Sequence, residues 1–242
     1  MTNVKAAFLA IGLCAAAAPA SAQQMQWTDK GYITVNGGGQ VGSHELTETG
    51  SFPLYEETAT FTSTTKVKGG GLFDIGGAFK VWGNNLLVGV SYSHVASKSD
   101  GTLTGSVPDP VVFDHPRTVS KTFEDLTHKE DQVHIDAIWM IPVANKLDIG
   151  IFAGPTIFSV KQESIPSLTI TEPGPIVTTT VATHSETAVG FNVGLDVQYM
   201  IAKRWGVGGL MRYAGGKVEL PGASEKLSVG GFQIGGGLRV RF

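Results

Sequence analysis

Residues 189–199 read VGFNVGLDVQY, and this stretch decides the fold. Val189, Phe191, Val193, Leu195, Val197 and Tyr199 alternate with Gly190, Asn192, Gly194, Asp196 and Gln198, so one face of an extended chain is wholly apolar and the other small or polar. Unbroken alternation from 189 to 199 exceeds the roughly 5–6 residues of an average globular strand and fits the roughly 9–11 that a tilted strand needs to cross a membrane.

Seven further segments repeat the pattern. Ile33, Val35 and Val41 alternate with Thr34, Asn36, Gly38 and Gln40; Phe73, Ile75, Phe79 and Val81 with Asp74, Gly76, Ala78 and Lys80. Leu86 to Tyr92, Val133 to Ile141 and Leu147 to Ile157 behave alike, as do Val207 to Tyr213 and Phe232 to Phe242. Tight polar turns are expected near Gly83-Asn84-Asn85, Pro142 to Lys146 and Ala202 to Arg204. The remaining joins, at about 44–70, 98–127 and 162–186 with a shorter one near 220–226, are rich in Ser, Thr, Pro, Asp and Gly and read as long loops. Short turns at one end and long connections at the other describe an all-β, eight-stranded antiparallel up-and-down transmembrane β-barrel. Closure is required, because the unpaired edges of an open sheet would each leave backbone groups unsatisfied in hydrocarbon.

The composition agrees. The chain has 242 residues, 42% hydrophobic and only 16% charged, with 32 glycines and a formal charge of −3. That much glycine excludes a long helical protein, and the charge leaves no footprint for nucleic acid. One cysteine, Cys14, permits no internal disulfide or multi-thiolate metal site. Residues 1–22 combine Lys5, an apolar stretch from Ala6 to Ala18 and the small-residue site Ala20-Ser21-Ala22, so a signal peptide cleaved before Gln23 is expected, leaving 23–242 as one barrel domain.

If the apolar face looks outward, the polar face lines the lumen. Its strand-core charges are Asp74, Asp136, Asp148 and Asp196 against Lys80, Arg212, Arg239 and Arg241, a balance suited to a narrow interior where charges must pair. Tyr92, Trp139, Tyr199, Trp205 and Tyr213 lie toward strand ends, as girdle aromatics at lipid headgroups do. A soluble eight-stranded barrel that binds a ligand in the periplasm has the opposite polarity and stays as an alternative.

KGYITVNGGGQVG (30–42), AKRWGVGGLMRY (202–213) and GFQIGGGLRVRF (231–242) resemble the small outer-membrane β-barrels of Gram-negative bacteria, of the opacity-protein and OmpA/OmpX-like type. The resemblance implies outer-membrane localisation and lipid contact. It also implies recognition of Phe242 by the barrel assembly machinery, and an extracellular ligand or host surface as a further partner.

No motif carries catalysis. Gly37, Gly39 and Gly42 have G-x-G-x-x-G spacing without the helix that pattern needs. Six histidines are scattered, and only His134 and Asp136 share an inward face, so neither metal nor cofactor is expected. His94 and Ser97 differ in parity, and Asp114-His115 sits in a Pro-bounded loop, so no nucleophile and base converge. The expected role is non-enzymatic: an envelope-structural or surface-interaction barrel with a side-chain-filled lumen. A small-solute or hydrophobic-compound channel, OmpW-like, is the alternative.

Overall fold

The computed structural model describes residues 26–83, 85–171, 176–219 and 226–242, so the expected export segment lies outside the described residues. Ten strands form one antiparallel sheet: β1 (Gly31–Val41), β2 (Ser43–Leu54), β3 (Glu57–Lys68), β4 (Gly71–Trp82), β5 (Leu86–Val107), β6 (Arg117–Ala144), β7 (Leu147–Thr171), β8 (Ile176–Met200), β9 (Trp205–Val218) and β10 (Leu227–Arg241). Eight of them close a ring in the order β1-β4-β5-β6-β7-β8-β9-β10, with β1 and β10 paired from Tyr32↔Arg241 to Val41↔Phe232. The seam depends on glycine. A Cβ at Gly237 would lie 1.8 Å from the Val35 carbonyl oxygen, and one at Gly38 2.0 Å from that of Ile234.

Side-chain orientation follows the alternation. Phe191, Val193, Leu195, Val197 and Tyr199 are exposed outside the ring, while Asn192, Asp196 and Gln198 are buried inside it. The same holds for Ile33 and Val35 against Asn36, and for Ile135 and Trp139 against His134 and Asp136. A soluble barrel would have the reverse polarity, so that alternative is excluded.

The long joins differ from the expected loops. Residues 44–70 fold mostly as the β2–β3 hairpin, and the joins at 98–127 and 162–186 are largely continuations of β5, β6, β7 and β8. Threonine explains the difference. It is polar, which suggests a loop, yet its β-branch favours a strand. Above the ring β3 pairs with β5, giving a four-stranded layer β2-β3-β5-β6, with β7–β8 beside it. Its buried face contributes Phe61, Leu103 and Leu126 to a small core with Ile165 of β7, against which Phe52, Phe123 and Ile170 pack. Its opposite face is a hydroxyl array in register: Thr47-Thr64-Thr102-Thr122, Thr49-Thr62-Thr104-Ser120 and Ser51-Thr60-Ser106-Thr118.

Candidate functional site in the lumen

The lumen is filled in layers. At the short-turn end, Trp27 enters from the segment before β1 and is buried with Tyr32, Leu87, Met140 and Phe152. Its ring meets Tyr32 edge-on at 6.2 Å and lies under the Arg241 guanidinium, 4.3 Å from its centroid. Lys80 donates to the Trp27 carbonyl at 3.2 Å and makes no ion pair among the described residues, so it latches this plug.

Above the plug three arginines and three aspartates meet. Arg241 pairs with Asp148 at 2.6 Å and donates to Gln198 Oε1 at 2.9 Å, and Gln198 donates to Asp196 at 2.7 Å. Arg239 pairs with Asp196 and donates to Asn36 Oδ1 at 2.6 Å. Asn36 passes the chain on to Asp74 at 2.8 Å, where Arg212 binds at 2.5 Å. Ser93 donates to Asp74 at 2.7 Å and lies 3.2 Å from His134 Nε2, whose Nδ1 is 2.8 Å from Thr156 Oγ1. Among the described residues Asp136 forms no ion pair; Asn192 donates to it at 2.8 Å and to Thr156 at 3.1 Å. One connected polar chain therefore runs from Asp148 to Asp136. Asp74, Asp148 and Asp196 are each paired with an arginine, whereas among the described residues Asp136 is held by the neutral Asn192 alone.

Sequence reasoning named the charges but missed the neutral relays Asn36, Gln198 and Asn192. It also missed a second cluster above them. Glu130 accepts from Gln132 at 2.7 Å, from the Gly230 backbone N–H at 3.2 Å and from Gln40 at 3.3 Å, with His128 Nε2 at 2.9 Å. Gln233 bridges Gln40 at 2.8 Å and Gln132 at 2.9 Å. The signal was parity: His128, Glu130, Gln132, His134 and Asp136 occupy alternate positions of β6 and so share a face. Gly230 and Gly231, with φ of 88° and 150°, bend β10 so that the Gly230 N–H turns inward to the carboxylate. Over this cluster lie Leu46, Phe158, Val160, Val218, Leu227 and Val229, an apolar cap.

Inside the ring a cavity of about 40 Å³ is bordered by Tyr32, Asn36, Asp74 and Asp136, and a wider one of about 670 Å³ opens at the short-turn end beside Trp27, Asp148 and Arg241. The inner cavity has room for only a few waters. Among the described residues no group of three or more His, Cys, Asp and Glu is arranged to hold a metal ion. His94 is engaged with Asp131 at 2.8 Å, whereas Ser97 pairs in register with His128. At the β5–β6 tip, the Asp114 N–H donates to Glu57 and the His115 ring contacts the Phe113 carbonyl oxygen, so neither pair forms a nucleophile with its base.

On the outer wall Tyr199, Trp139 and Trp205 are exposed toward the short-turn end, with Trp82 and Phe242 beside them, and Tyr92 and Tyr213 toward the other, with Phe73, Phe191 and Phe232. Phe242 packs edge-on against Phe79 at 5.5 Å, and its backbone N–H donates to the Gly31 carbonyl at 3.1 Å. From Tyr199 to Phe191 the chain advances about eight residues, roughly 27 Å along the strand, which a tilt of ~40° reduces to about 20 Å of height, within the ~25 Å of an outer-membrane apolar band.

The sequence matches the family described as outer membrane protein beta-barrel domain over residues 6–242. Among solved structures the fold is similar to Neisserial surface protein A, at 13% identity and a TM-score of 0.42, covering 88% of this chain and 97% of that one. It is also similar to the N-terminal β-barrel domain of Pseudomonas aeruginosa OprF, at 11% identity and a TM-score of 0.39, covering 89% and 100%. The outer membrane protease OmpT of Escherichia coli aligns at 8% identity with a TM-score of 0.50, covering 92% and 100%. No curated protein matches by sequence.

Proposed function

The chain belongs to the outer membrane protein beta-barrel domain family, and from that premise we propose that it is a non-enzymatic, non-conducting barrel of the outer membrane that acts at the cell surface. Its extracellular β-layer is the working part, and the filled ring is its rigid mount. Tyr92, Trp139, Tyr199, Trp205 and Tyr213 set the depth of that mount in the bilayer, and Phe242 is the residue presented to the barrel assembly machinery.

The observation that carries this reading is the filling of the lumen. The Trp27 plug, the Arg–Asp chain, the Glu130 cluster and the apolar cap follow one another along the axis. A solute would have to break several buried ion pairs to pass, each costing about 3–5 kcal/mol when one partner is lost. Outside, the uncharged Thr/Ser array offers a flat surface of donors and acceptors held rigid by the Phe61–Leu103–Leu126 core. Such a surface suits recognition of a ligand or another cell.

Purified protein in planar bilayers is expected to give no steady conductance, and a persistent nanosiemens-scale pore would reject the proposal. Cells displaying Thr62→Lys/Thr104→Lys protein should lose the surface binding that wild-type cells show. Equal binding would remove the hydroxyl face from the account.

A further inference from the structure

Lys129 of β6 and Lys161 of β7 are register partners on the outward face, and both are exposed. Like charges placed directly opposite one another destabilise a ladder. Nearby lysines avoid this: Lys66 pairs with Glu45 at 3.2 Å, Lys68 with Asp100, and Lys98 with Asp125 at 2.8 Å. Among the described residues neither Lys129 nor Lys161 has such a partner. The carboxylates two residues along on the same strands, Asp131 and Glu163, are already engaged. Asp131 accepts from Tyr92 Oη and contacts His94 Nδ1, and although Lys161 is within its electrostatic reach the two make no ion pair. Glu163 accepts the Thr127 backbone N–H at 2.7 Å.

The height of this pair is the second observation. Tyr92, Val133 and Ile157 lie side by side in register as the last outward apolar row of β5, β6 and β7. Lys129 and Lys161 stand about four residues beyond it, roughly 13 Å along the strand. A strand tilt of ~40° makes that about 10 Å of height. Both charges then lie above the acyl region, at the level of the headgroups.

We propose that Lys129 and Lys161 form a binding site for the phosphate group of an outer-leaflet glycolipid, whose acyl chains lie against Val133, Ile157 and Tyr92. One phosphate between the two ammonium groups turns their repulsion into two charge-assisted contacts. A free anion gains only those contacts, whereas a lipid reaches past the His94–Asp131–Ser159 row to the apolar wall about four residues below, and on that ground the occupant is the lipid. The site is on the outer wall and does not depend on whether the lumen conducts.

The test is native mass spectrometry of the detergent-folded barrel with diphosphorylated lipid A and with its dephosphorylated form. The wild type should retain the diphosphorylated lipid about tenfold more, and Lys129→Gln/Lys161→Gln should abolish that preference. Lys217→Gln, which removes an outward lysine opposite Ser228, should leave it unchanged. Unaltered heat-modifiable migration confirms that each variant is folded. Equal retention of both lipids by the wild type, undiminished preference in the double variant, or displacement of the lipid by millimolar inorganic phosphate would overturn the proposal.

Discussion

Asn36 accepts a 2.6 Å hydrogen bond from Arg239 across the β1–β10 seam, joining side chains from opposite ends of the sequence. The same amide donates to Asp74 on β4, so it links the Asp196–Arg239 pair to the Asp74–Arg212 pair. The seam that closes the ring is thus also the point where the lumen charges become one network.

Asn36→Ala should leave Arg239 Nη1 and Asp74 Oδ1 each short of a buried partner. The expected loss is about 1–3 kcal/mol per orphaned group, read as a lower urea midpoint of unfolding in detergent or vesicles. Lys80→Met, which removes only a contact to the Trp27 carbonyl, should shift the midpoint far less.

Asp196→Ala strands a fully buried Arg239 and is expected to cost about 3–5 kcal/mol. Asp196→Leu/Arg239→Met removes both charges and should recover most of that loss. A double variant as unstable as the single one would show that the Arg239–Asp196 pair contributes packing rather than charge compensation.

The extracellular core should melt on its own. Leu103→Ala empties part of the cluster with Phe61, Leu126 and Ile165 at a cost of about 2–5 kcal/mol. Protease added outside intact cells should then cut between β5 and β6, while the barrel keeps its heat-modifiable migration.

The β5–β6 tip is expected to respond to acid. Asp109 accepts the backbone N–H groups of Val111 and Val112, at 2.9 and 3.2 Å, and these bonds hold its carboxyl below the ordinary carboxylate range. Because the folded value is depressed, the stabilisation is present above the unfolded pKa and disappears as pH falls through the folded one. Protection of the Val111 and Val112 amides, taken relative to the intrinsic exchange rate at each pH, should therefore fall in that acidic window in the wild type and be low throughout in Asp109→Ala.

Much of the architecture was legible because a strand declares its two faces locally. Val189 to Tyr199 shows its outward and inward rows without reference to any other segment, since side chains alternate whatever the strand pairs with. The polar composition of residues 44–70, 98–127 and 162–186 hid their strands. There threonine marks a solvated β-face, and apolar positions such as Phe61, Leu103 and Leu126 are too sparse to reveal a core until β3, β5 and β6 are brought together.

The sequence by itself determined which side chains share a face of each strand, and that a sheet of such strands spanning a membrane must close on itself; the closed ring decided that the apolar face looks outward. Tertiary structure alone decided which inward charges meet: Arg212 with Asp74, Arg239 with Asp196, and Asp136 with Asn192 instead of an arginine. It also decided that Lys129 and Lys161 would oppose each other on the outer wall. Alternation is a property of one strand's backbone, whereas partners across a lumen or along a ladder depend on the tilt and stagger of the whole ring, which no single strand encodes.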